Sequence, residues 1–126
     1  MFDGIDPRSP TPLYDQIAGR VRVAIAAGEL RPGEPLPSVR QLATRLRLNP
    51  ATVVQAYRAL ETDGFVEMRQ GAGTFVREVE AGRRAATRAD HARRLVRAML
   101  AEAARVGIPA QELQRAIDDE LGVEVR

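Results

Sequence analysis

Two helix-start signals in close succession constrain this chain more than any other feature. Ser38 precedes Val39-Arg40-Gln41, and a serine followed three residues later by glutamine forms a capping box, which satisfies backbone donors that a helix otherwise leaves orphaned. The helix begun there is predicted to run to about Leu46. Asn49-Pro50 then announces a second start, because asparagine is a favoured N-cap and proline's fixed φ and missing N–H suit the first helical position. Two helices joined by a turn of three residues define a helix-turn-helix.

The second helix has two distinct faces. Val53, Ala56, Tyr57 and Leu60 recur at the spacing of a buried stripe, which leaves Ala51, Thr52, Gln55 and Arg58 pointing outward. No acidic residue occurs between Glu34 and Glu61, whereas Arg40, Arg45, Arg47 and Arg58 all do. Such a run is compatible with a merely solvated face, but coupled to the capping and spacing it points to a polyanion as partner.

The sequence after this helix reads as a small β-hairpin. Gly64 is suited to the left-handed conformation that ends a helix. Phe65-Val66-Glu67-Met68-Arg69 alternates like a half-buried strand, Gln70-Gly71-Ala72-Gly73 is a turn, and Thr74-Phe75-Val76 is the returning partner. A Gly-x-Gly can also belong to a phosphate-cradling nucleotide loop, but that motif requires a helix after it, and here strands flank it.

The run from Leu36 to Phe75, LPSVRQLATRLRLNPATVVQAYRALETDGFVEMRQGAGTF, resembles the winged helix-turn-helix of GntR-type bacterial transcription regulators. Within that family the Asn-Pro start and the Ala56-Tyr57 pair are similar to the YtrA-like branch and to the DNA-binding part of MocR-like proteins. The resemblance covers roughly the first 77 residues. It implies contact with double-stranded DNA by Arg40 at the start of the first helix, by Asn49, Ala51, Thr52 and Gln55 on the second, and by Gln70 and Gly71 at the wing tip. Ser38, which caps the first helix, and Arg58, on the outward face of the second, are added as candidate DNA-binding residues from their positions. Many members carry arginine where this chain has Pro50 and Val54, so base contacts made by those arginines do not transfer.

Global composition is less informative than local clustering. The net charge of +2 is shared almost evenly, with ten arginines against nine acids through Val79 and nine against eight beyond it. Every basic residue is arginine, which favours bidentate contacts to phosphate and guanine, although arginine-biased codon usage explains the same fact. The absence of cysteine excludes disulfides and thiolate metal sites. No apolar run is long enough to span a bilayer and the amino terminus lacks a signal pattern, so a cytoplasmic location is expected.

Before the helix-turn-helix, Phe2 and Ile5 are candidate packing anchors in a polar leader. Thr11-Pro12 repeats the N-cap and N1 signature, and Leu13, Ile17, Val21, Ala24 and Ile25 mark the buried face of a helix ending near Gly28. Tyr14 lies beside that face and is assigned to packing. Beyond Val76, the residues from Glu78 to Asp90 lack an apolar stripe and read as a hinge. Ala92, Leu95, Val96, Met99, Ala103 and Val106 then mark a helix, and Leu113, Ala116, Ile117 and Leu121 a second one after Pro109. An isolated helix pair of this size buries too little to stand alone. A second copy of the chain is the natural supplier of missing surface, with Leu95, Val96, Met99, Leu113, Ile117 and Leu121 as the dimerisation residues. Arg83, Arg84, Arg88, Arg93, Arg94 and Arg97 form a second basic run, read as a solvated helix face in preference to a phosphate-contacting one. His91, the only histidine, is read as an exposed helical residue without a special role.

The expected fold is therefore mainly α with a small β-hairpin: a winged helix-turn-helix over residues 1–77 followed by a two-helix dimerisation arm over 78–126. The sequence lacks nucleophile–base pairs and metal-binding motifs, so no enzyme, cofactor or metal site is expected. The length leaves no room after Val76 for an aminotransferase or a large effector domain. The leading expectation is a homodimeric, sequence-specific DNA-binding regulator, a repressor by the resemblance, on an inverted-repeat operator, with no membrane partner and no small-molecule effector identifiable from the sequence. The alternative is a winged-helix protein–protein module, which predicts an apolar or acidic outward face on the Pro50 helix.

Overall fold

The computed structural model describes residues 1–123, so the last three residues of the expected arm lie outside the described part. The chain divides into two units, Met1–Arg88 and Ala89–Arg126. The first contains α1 (Leu13–Ala26), α2 (Val39–Leu46), α3 (Pro50–Thr62), β1 (Val66–Arg69), β2 (Gly73–Val76) and the opening turns of α4 (Ala81–Arg105). The second holds the rest of α4 and α5 (Ala110–Leu121).

Side chains that recur at helical spacing make the core of the first unit. Ile17 and Val21 from α1, Leu42 from α2, Val53, Tyr57 and Leu60 from α3 and Val66 from β1 are its largest fully buried side chains. Burial of each apolar side chain of this kind contributes about 1.5–3 kcal/mol. Tyr14, Phe2 and Ile5 pack against this cluster, as expected from the sequence. Thr11 does not cap α1: the helix starts after Pro12 with no side-chain cap. Gln16 organises this end instead, its amide donating to the Asp6 and Thr11 carbonyls and accepting from the Asp6 N–H, each at 2.8 Å.

The hairpin is antiparallel, with Val66 opposite Val76 and Arg69 opposite Gly73. It has a third, irregular neighbour that the sequence reading missed. The Leu36 N–H donates to the Thr74 carbonyl and the Val76 N–H to the Glu34 carbonyl, both at 2.8 Å, with a bridge between Pro35 and Phe75. Pro35 and Pro37 have no N–H to give a ladder, which confines such a segment to a sheet edge and disguises it as a loop.

The hinge expected between Glu78 and Asp90 is instead helix. α4 is continuous from Ala81 to Arg105, because alanine and arginine have high helix propensity whether or not an apolar stripe accompanies them, and Gly82 falls in the first turn. In the second unit, Ala103 is the one buried residue among those described and Leu113 and Ile117 are half-buried. Leu95, Val96 and Met99 are exposed to 56%, 48% and 41%, and Leu121 to 73%.

Candidate nucleic-acid interface

Both predicted caps form. The Gln41 N–H donates to Ser38 Oγ at 3.1 Å, and the Ser38 N–H donates to Gln41 Oε1 at 3.0 Å. Asn49 Oδ1 accepts from the Ala51 N–H at 2.9 Å, with Pro50 at the first helical position. Each cap leaves donors to spare, the Ser38 hydroxyl proton and the Asn49 amide hydrogens, and both residues are exposed. The turn between the helices closes through Arg47, whose φ of 56° is the left-handed conformation that ends α2. A residue with a Cβ takes that conformation at a cost of about 1–2 kcal/mol.

Tyr57 holds the two helices in register. Its ring is fully buried and its hydroxyl donates to the Pro37 carbonyl at 2.6 Å, tying the middle of α3 to the residue before the Ser38 cap. Burial pushes the phenol well above its ordinary value of 10.0, with the charge of Arg45 acting weakly in the opposite direction. The phenol is therefore a fixed neutral donor in the folded protein.

Around this frame the outward residues stand as expected. Ala51, Gln55 and Arg58 are exposed on one side of α3, with Thr52 half-buried beside them, and Arg40 is exposed at the start of α2. Arg45 and Arg47, counted in the basic run but not assigned contacts from the sequence, are exposed as well. Arg40 and Arg45 line one open groove together with Pro37 and Thr44. Among the described residues, Arg40, Arg45, Arg47 and Arg58 form no ion pair with any carboxylate. Guanidinium groups left uncompensated over this surface give it a positive field that suits a phosphate backbone.

The wing tip carries Gln70 and Gly71, both exposed. Gly71 and Gly73 have φ of 77° and 122°, values that a residue with a Cβ rarely adopts. Arg69 beside the tip stacks over the Phe75 ring at 4.6 Å and pairs with Glu67 at 3.3 Å. The pairing of β1 with β2 sets this arginine opposite Gly73, a placement that only the hairpin register reveals.

The second basic run splits in a way neither sequence reading anticipated. Arg83 stacks over the Phe65 ring at 4.5 Å, Arg88 Nη1 donates to the Ala26 carbonyl at 2.7 Å, and Arg84 is half-buried. Arg83 and Arg88 thus fasten the opening turns of α4 to the winged unit while staying exposed, and Arg84 is set apart from both. Arg93 pairs with Asp90 at 3.0 Å, while Arg94 and Arg97 are exposed.

A capped pair of helices, an uncompensated arginine surface and a two-stranded wing define a winged helix-turn-helix DNA-binding protein. The family model for bacterial regulatory proteins of the gntR family matches residues 13–76. The chain belongs to the GntR family. The HTH-type transcriptional repressor YtrA of Bacillus subtilis is 47% identical over 74 residues, covering 59% of this chain and 57% of that protein. A GntR family transcriptional regulator from Listeria monocytogenes superposes with a TM-score of 0.66 at 29% identity, over 90% of this chain and 97% of that one. YtrA from Sulfolobus acidocaldarius, a GntR-family transcription factor, gives a TM-score of 0.59 at 34% identity, over 83% and 99%. These likenesses support the YtrA-like branch, and the relatives are transcription regulators, in keeping with the non-enzymatic reading. No helix among the described residues is long and apolar enough to cross a membrane.

Proposed function

We propose that this GntR-family regulator is a cytoplasmic repressor that binds an inverted-repeat operator as a homodimer, with residues 1–77 carrying the DNA contacts and 78–126 the dimerisation. The observation that carries this reading is the surface of α2 and α3, where four arginines without an ion pair among the described residues accompany a capped helix presenting Ala51, Thr52 and Gln55. α3 enters the major groove, where Thr52 and Gln55 reach base edges. Ser38, Arg40, Asn49 and Arg58 hold the phosphates on either side, and Gln70 and Gly71 meet the backbone or minor groove. The repressor assignment follows the printed name of the Bacillus relative.

Binding of the purified chain to duplex DNA from upstream of its own gene is the direct test. In that assay Arg40→Ala is expected to weaken all duplexes by about 1–3 kcal/mol, whereas Gln55→Ala changes sequence preference. Competition titrations with specific and random DNA separate the two effects, and unchanged affinity in both variants would remove α2 and α3 from the interface.

The wing gives a second test. A Cβ at Gly71 meets no atom within 4 Å and one at Gly73 meets the edge of the Phe75 ring at 3.9 Å, so substitution there is opposed by backbone conformation and not by crowding. Replacing both by valine is expected to cost about 1–2 kcal/mol at each position and to distort the tip while the helical core stays folded. Circular dichroism beside a gel-shift assay should show native helix content with weakened DNA binding. Full binding by the double variant would show that the tip takes no part.

A further inference from the structure

At the root of the wing lies a partly open cavity of about 350 Å³. Ile25 and Val79, both buried, supply apolar lining, and Arg31, Arg77 and Arg84 line it beside a single acid, Glu78. Among the described residues none of these three arginines forms an ion pair, and their side chains make no hydrogen bonds. Arg84 is the decisive one, since its Nε is shut off from solvent without any acceptor. Buried polar nitrogens in native proteins are nearly always satisfied, and a guanidinium is best satisfied by a planar or tetrahedral anion held through two hydrogen bonds. A small rotation about the last torsions of Arg84 would present Nε to an anion in the cavity and end its isolation.

We propose that this cavity binds a small organic anion, a carboxylate or phosphate monoester with a compact apolar body, and that its occupancy regulates DNA binding. Its size lies in the range of roughly 300–1,000 Å³ common for small-molecule sites. The apolar lining suits the body of such a ligand, and the three arginines against one glutamate suit its charged end. An operator phosphate is the wrong occupant on position. The cavity lies beside Arg77–Val79, just past the Val76 end of β2, and three residues of strand, about 10 Å, separate that end from the Gly73 end at the tip. It is also on the side of the hairpin that follows the carboxyl end of α3, away from the Asn49 end that reads DNA. Regulation follows from what the lining connects: the end of α1, the loop before α2, the segment leaving the wing and the first turns of α4. An anion drawing Arg31, Arg77 and Arg84 together alters the anchoring of the wing and of α4 at once. The regulatory part rests on the proposed operator binding, whereas the site itself does not.

Isothermal titration of the full chain, without DNA, with phenyl phosphate, benzoate and inorganic phosphate tests the site. Saturable one-site binding of phenyl phosphate or benzoate is expected, with inorganic phosphate weaker by about tenfold or more for want of an apolar body. Arg84→Gln should weaken the organic anion by about tenfold, and Arg31→Gln, at an exposed position whose change spares the core, by a smaller factor. Saturating phenyl phosphate should also shift operator affinity severalfold in a gel-shift titration. Absence of saturable binding by every probe, or affinities unmoved in both variants, overturns the site. A loss of operator affinity in Arg31→Gln and Arg84→Gln without any added anion would make the cluster a DNA contact and overturn it equally. Operator binding that stays constant at saturating anion overturns the regulatory role alone. Failure to bind any operator under all conditions counts against the DNA reading and leaves the titration of the site to stand by itself.

Discussion

Replacing Leu95 and Met99 together by aspartate is expected to convert the proposed dimer into a folded monomer and to reduce affinity for the proposed operator by about three orders of magnitude, the lower end of the interval between specific and nonspecific DNA binding. The side chains are exposed to 56% and 41% in the single chain, so aspartate there removes little that a monomer needs. In a seam formed by two copies, the same aspartates would place unpaired charges against leucine, valine and methionine, which is strongly unfavourable. The magnitude follows from geometry. A dimer sets two α3 helices in successive major grooves, with half-sites about 10 bp apart or a multiple of that, and each half alone makes few phosphate contacts. Light scattering should report the monomer, circular dichroism the retained helix, and gel shifts the lost affinity. A monomeric variant that still held the operator as tightly as the parent would assign the arm another purpose. A companion truncation is best placed after Arg88, because Val79 is buried in the winged core and Arg88 donates to the Ala26 carbonyl.

The helix-turn-helix was legible in the sequence because its determinants are local. Ser38 and Gln41 need only each other to form a capping box, Asn49 and Pro50 need only the next turn of backbone, and the α3 stripe follows from 3.6 residues per turn. All three stand in the structure as read. What escaped depends on distant partners or on an indirect signal. The strip at Glu34–Leu36 along β2 is visible only when the hairpin is in place to receive it. The roles of Arg83 and Arg88 depend on Phe65 and on the Ala26 carbonyl, the latter 62 residues away in sequence. The start of α4 is hidden in the sequence because no apolar stripe marks it. Where a helix meets its unit through arginine side chains stacked on a ring or bonded to a carbonyl, no such stripe is required. Among the candidate contacts, Ser38 and Asn49 prove to have a structural task as caps, which the sequence did reveal. Arg45 and Arg47 were visible as charge, but their lack of carboxylate partners among the described residues was not.

Tyr57→Phe is expected to lower stability by about 1–2 kcal/mol, since the ring volume is kept while the Pro37 carbonyl loses its 2.6 Å donor inside the domain. For a unit of this size that corresponds to a fall in Tm of about 4–8 °C per kcal/mol. The functional consequence runs through position. Pro37 immediately precedes the cap of α2, and Arg40 is the second residue of that helix, so loosening the tie frees the α2 start to shift against α3 and is expected to lower affinity for the proposed operator as well. The pH dependence separates this account from a general loss of packing. Burial raises the folded phenol above its ordinary value of 10.0, so the unfolded chain releases the proton first as pH rises. The contribution of Tyr57 is therefore complete below pH 10 and declines above it, by up to about 1.4 kcal/mol per pH unit until the folded phenol also ionises. Phenylalanine has no such proton, and the stability gap between parent and variant should narrow steadily as pH rises above 10. Urea unfolding of both proteins from pH 8 to pH 11 measures that gap, and a constant difference across the series would mean that the Tyr57 hydroxyl is not the buried neutral donor that ties α3 to α2.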